Sequence, residues 1–97
     1  MYNDCERMGN NYYLYANGKK KITIEVTLLE SALNYELCIE ENGQTIASKR
    51  ISSKNFTQCK YFNIPQVGNN QKKIYLRNSS NQIFDPEKIL ACKYKLE

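Results

Sequence analysis

Between Lys20 and Leu29 the chain alternates Ile22, Ile24, Val26 and Leu28 with Thr23, Glu25, Thr27 and Leu29. A period of two puts the apolar set on one face of an extended strand and the polar set on the other. The pattern recurs where Tyr35, Leu37 and Ile39 alternate with Glu36, Cys38 and Glu40. Asn42-Gly43 then supplies two residues that tolerate positive φ, the signature of a two-residue hairpin turn, and the return strand runs Gln44 to Ile51. Such a loop sets Glu41 opposite Gln44, and therefore Ile39 opposite Ile46, Cys38 opposite Ala47 and Glu36 opposite Lys49.

Four more segments read the same way: Tyr12 to Tyr15, Phe56 to Ile64 ended by Pro65, Lys73 to Asn78 with Ile74 and Leu76 on one face, and Ile89 to Lys95 with Leu90, Cys92 and Tyr94 alternating with charge. Ser52 to Asn55 and Gly68-Asn69-Asn70 are turn signals. Asp85-Pro86-Glu87 resembles a helix start, but nothing downstream sustains a helix, so the segment reads as a loop. About seven short strands at near-regular spacing predict an all-β fold, a small antiparallel β-sandwich with Greek-key-like connections. A five-stranded OB-like barrel is the alternative.

At 97 residues the chain is expected to be a single β-domain spanning 1–97. Met1 and the Leu96-Glu97 dipeptide look like cloning remnants, so the lack of a leader carries no weight about compartment. No apolar stretch approaches the roughly 20 residues of a membrane span. The net charge of +4 is spread along the chain, which suits weak attraction to anionic surfaces and argues against a committed nucleic-acid binder.

The sequence has four cysteines and no histidine. Wide spacing without a CxxC pair disfavours a zinc site, and no metal or other cofactor is expected. Two disulfides are the preferred reading, Cys5 with Cys92 joining the ends and Cys38 with Cys59 joining mid-chain strands, although spacing alone allows three connectivities. They imply an oxidising compartment, hence secretion or display at a cell surface; four buried free thiols in a cytosolic protein are the other reading.

Catalysis is excluded mainly by missing groups. Without histidine there is no Ser-His or Cys-His pair. Glu40 and Glu41 point to opposite faces of a strand, and Glu36 and Glu40 lie about 13 Å apart along one face, too far for a glycosidase pair. No glycine-rich phosphate loop or EF-hand pattern is present, so no enzyme is expected.

The positive signal is eight tyrosines without a tryptophan. Tyr12, Tyr13 and Tyr15 precede Lys19, Lys20 and Lys21, and together they form a candidate binding surface for a sugar or a protein. The plainer account places half of these rings in the core and makes the lysines a solvated strand entry. Asn55-Phe56-Thr57 and Asn78-Ser79-Ser80 match the N-glycosylation pattern, and the abundance of Asn, Lys, Tyr and Ile resembles low-GC coding. The leading expectation is a non-enzymatic, monomeric, secreted or cell-surface module, of bacterial type, that binds a protein or a cell-envelope glycan. A nucleic-acid-binding OB-like domain, with Tyr61 and Tyr75 added to the tyrosine set as stacking platforms, is one alternative. A small secreted toxin, bacteriocin or inhibitor is another.

Overall fold

Ile22, Ile24, Val26 and Leu28 are at most 1% exposed, so the clearest alternation in the sequence is also the best-buried strand. Each such side chain contributes about 1.5–3 kcal/mol when removed from water. The computed structural model describes residues 1–64 and 71–97. Among these, nine strands follow in order: β1 (Asn3–Asp4), β2 (Glu6–Met8), β3 (Asn11–Tyr15), β4 (Lys21–Leu28), β5 (Glu36–Glu41), β6 (Gln44–Arg50), β7 (Thr57–Asn63), β8 (Gln71–Arg77) and β9 (Ile89–Leu96). The Gly68-Asn69-Asn70 turn and the Pro65 stop expected from the sequence lie outside the described residues.

Two antiparallel sheets form, ordered β1-β9-β4-β7 and β2-β3-β8-β5-β6. They make a β-sandwich; nine strands in two sheets replace the alternative five-stranded barrel. Leu14, Leu37, Ile39, Ile74 and Leu76 of the five-stranded sheet join one core with the β4 residues, Phe62, Cys92 and Tyr94 of the other sheet. Apart from the β2–β3 and β5–β6 hairpins, successive strands from β3 onward pass from one sheet to the other. The chain also changes sheets at Cys5, between β1 on β9 and β2 on β3. Leu96, read as a remnant, continues β9 opposite Ile22 and packs on the core.

Two local departures from simple pairing change what the sequence led us to expect. The β5–β6 hairpin starts as expected, with Glu41 opposite Gln44, but a bulge follows, so that Ile39 faces Ala47, Cys38 faces Ser48 and Glu36 faces Arg50. The extra residue, Ile46, lets both Ile46 and Ala47 pack against the core, and it brings Arg50 rather than Lys49 across from Glu36. A second irregularity between Thr27 and Leu28 pairs Leu28 with Ile89 and Thr27 with Ala91. Ile89 takes the inward place, and Leu90 is left 61% exposed rather than sharing a face with Cys92 and Tyr94. A short 3-10 turn, Pro86–Lys88, occupies the segment read as loop, with Asp85 accepting from the Glu87 amide.

Candidate functional site

The tyrosine and lysine set does not form one surface. Tyr12 points inward, 8% exposed, and its hydroxyl donates to the Ile89 carbonyl at 3.2 Å. Alternation turns Tyr13 and Tyr15 to the outer face of the five-stranded sheet. The chain then crosses over through a turn closed by Lys19 N–H to the Ala16 carbonyl, with Asn17 and Gly18 at φ 51° and 76°. Lys19 and Lys20 lie at this crossover, and Lys21 opens β4 in the opposite sheet. The tyrosines divide likewise, for Tyr75 is on β8 and Tyr61, 41% exposed, is on β7.

No two of the four cysteines lie at disulfide bonding distance in this structure. Cys38 and Cys59 are not brought together: Cys38 alternates with the inward Leu37 and Ile39, and Cys59 with the inward Gln58 and Phe62's side of β7, so each faces away from the core on a different sheet. Packed sheets stand about 10 Å apart, which keeps outward-facing thiols well beyond bonding range. Cys38 is nonetheless buried, opposite Tyr75 on β8, and burial pushes its thiol pKa up. Cys59 is exposed beside the Tyr2 hydroxyl at 3.6 Å. Cys5 and Cys92 do meet, with Sγ atoms 2.9 Å apart, and that contact together with burial pushes the Cys92 thiol pKa far upward.

A groove lies elsewhere, along one edge of β8. The first half of this edge pairs with β3, from Gln71 opposite Tyr15 to Ile74 opposite Tyr12. The second half is covered by a different segment, for Arg77 bridges to Ile83 and the Phe84 N–H donates to the Leu76 carbonyl at 2.9 Å. Beside them the chain turns at Gly9-Asn10 from β2 into β3, leaving a cavity of about 520 Å³. Tyr12, Ile83, Phe84 and Ile89 supply its apolar surface. Asn10, Asn11, Asn81, Arg77, Lys73 and Glu40 supply its polar groups.

Both walls are built from well-satisfied turns. Gly9, at φ 62°, opens the two-residue loop between Met8 and Asn11, a place where a side chain would strain the backbone. Arg7 ties this hairpin down, donating to the Gly9 carbonyl at 3.0 Å and to Glu87 at 2.8 Å. Opposite, the Asn78 carboxamide oxygen accepts from the Ser80 and Gln82 amides, shaping the turn that presents Asn81 at φ 61°. Phe84 is anchored edge-on to Tyr35 at 5.4 Å. Tyr75 is braced as well: its hydroxyl meets Thr45, and Lys73 and Arg77 lie 5.5 and 5.8 Å from its ring centre. It is a wall of the groove rather than a free stacking platform.

Sequence reading missed Asn10, Asn11, Asn81, Ile83 and Phe84. The available signals were the Gly9-Asn10 turn and the Ser79-Ser80-Asn81 cluster. Among the described residues no group of three or more Cys, Asp or Glu is gathered for a metal ion. Nor, among these residues, is any helix long and apolar enough to cross a membrane. Comparison with family models, with curated proteins and with solved structures finds no match to this chain.

Proposed function

We propose that this β-sandwich is a non-enzymatic, secreted or cell-surface module that binds a glycan in the groove beside β8. The observation that carries this reading is the combination of an apolar surface with three side-chain amides and a guanidinium around it. A sugar ring offers the complementary chemistry, an apolar C–H face and neighbouring hydroxyls that both donate and accept. Asn10, Asn11 and Asn81 can each donate and accept at once, and Arg77 donates in a fork. Ile83, 54% exposed, provides the surface for the C–H face, with the buried Phe84 packed behind it.

Binding without turnover fits the same residues. Glu40 is the one carboxylate among the described groove residues, whereas glycoside hydrolysis needs two flanking the bond. Nucleic acid fits less well, because Lys73, Arg77 and Arg50 on the outer face of the five-stranded sheet share it with Glu36 and Glu40.

Calorimetric titration with chito-oligosaccharides, soluble peptidoglycan fragments, oligouronates and dextran oligomers tests the reading. One class should bind, and Asn81→Ala or Ile83→Ser should weaken that binding about tenfold or more, the size of a lost 1.4 kcal/mol contact. Silence across the panel, or binding indifferent to both substitutions, would overturn it.

A further inference from the structure

The thiols of Cys5 and Cys92 are 2.9 Å apart at the point where the N-terminal strand leaves one sheet for the other. β1 pairs with β9 through Asn3 opposite Tyr94 and Asp4 opposite Lys93, and the Cys5 N–H then donates to the Cys92 carbonyl at 2.9 Å. Cys5 and Cys92 therefore face each other across the ladder. Facing antiparallel residues have Cα atoms about 4.5–5.5 Å apart, inside the range a disulfide spans.

What this contact holds is a wall of the groove. Immediately after Cys5 come the three residues of β2, all exposed, whose attachments are the β3 ladder and Arg7. β2 leads into the Gly9-Asn10 turn and Asn11, and Asn10 and Asn11 line the cavity. On the other side, Cys92 is three residues from Ile89, whose carbonyl receives the Tyr12 hydroxyl.

We infer that Cys5 and Cys92 form a reversible disulfide latch that fixes the β2–β3 hairpin and so sets the shape of the groove. The oxidant is a low-molecular-weight disulfide of the glutathione class. Cys5, the more accessible of the two, attacks one sulfur of that disulfide as its thiolate, giving a mixed disulfide and releasing one thiol. The Cys92 sulfur then attacks the Cys5 sulfur, its proton passing to the departing sulfur, and the second thiol is released. Two protein thiols become one S–S bond, and one small disulfide becomes two small thiols. Cys38 and Cys59, on opposite outer faces, take no part.

The role assigned to the wall rests on the glycan reading, but the latch is tested without a sugar, so the two can fail separately. The unsubstituted protein is equilibrated in reduced and oxidised glutathione buffers, alkylated and mapped by peptide mass. Backbone hydrogen exchange is then followed in both states. In oxidised buffer Cys5 and Cys92 should be joined to each other while Cys38 and Cys59 remain separate. Amides of residues 6–11 should exchange about tenfold more slowly than in the reduced protein, with the β5–β6 hairpin unchanged. Cys5→Ser should abolish the difference. Cys5 and Cys92 both alkylated in oxidised buffer, or joined with no change over residues 6–11, would overturn the inference.

Discussion

Lys72 Nζ lies 2.7 Å from Glu41 Oε1 on the inner side of the five-stranded sheet, and the Lys72 side chain is wholly buried. The pair sits one rung from Lys73 and Glu40, which meet at 3.9 Å on the outer side. The buried contact is a charge contact rather than an aligned hydrogen bond. Its geometry makes the lysine depend on the glutamate, because desolvating an ammonium is costly without a counter-charge. Glu41→Ala should destabilise the fold by about 3–5 kcal/mol, whereas the double change Glu41→Leu with Lys72→Met should be near neutral or stabilising. Urea unfolding of the two variants against the parent checks this; equal losses from both would contradict it.

Alkaline pH should weaken the reduced protein. The thiols of Cys92 and Cys38 both have pKa values raised above the ordinary 9.0, Cys92 chiefly by its contact with Cys5 and Cys38 chiefly by burial. The folded chain therefore keeps these protons at a pH where the unfolded chain has released them. Their effect is flat below about 9 and becomes a loss of stability as pH rises beyond it. Unfolding curves of the reduced parent at pH 8 and pH 10 should differ more than those of Cys38→Ala/Cys92→Ala.

Tyr12→Phe should separate packing from anchoring. The ring remains buried, but the hydrogen bond to the Ile89 carbonyl is lost, leaving an acceptor at the edge of the groove. A cost of about 0.5–1.5 kcal/mol is expected, with faster exchange of the β2 amides. Unchanged stability and exchange would show that the hydroxyl holds nothing.

At the β5–β6 turn, Asn42 and Gly43 adopt φ 51° and 78°, the geometry expected of Asn-Gly. A Cβ at Gly43 would meet nothing within 4 Å, so the strain of Gly43→Ala is conformational alone. The predicted loss is about 1–2 kcal/mol in thermal or chemical unfolding.

The strands were legible because alternation is a local signal, and β4 and the Asn42-Gly43 turn needed nothing beyond it. The bulge at Ile46 was not, since its advantage lies in packing two residues on a core assembled from distant strands. β1 and β2 are too short to show a period, and their assignment to different sheets depends on β9 and β3. The groove was still further from view. It arises because β3 and the Ile83-Phe84 segment divide one edge of β8, a relation between residues far apart in the chain. Of the tyrosines singled out, Tyr12 belongs to the groove, but as a buried strut rather than an exposed ring.

The measurement that bears most directly on the glycan-binding account is a residue-resolved NMR titration with the oligosaccharide that gives the largest calorimetric response. The account predicts that shift changes concentrate on Asn10, Asn11, Arg77, Asn81 and Ile83 and saturate together. Changes centred instead on the outer face of the four-stranded sheet, around Tyr61 and Lys93, or no saturable change at all, would contradict it.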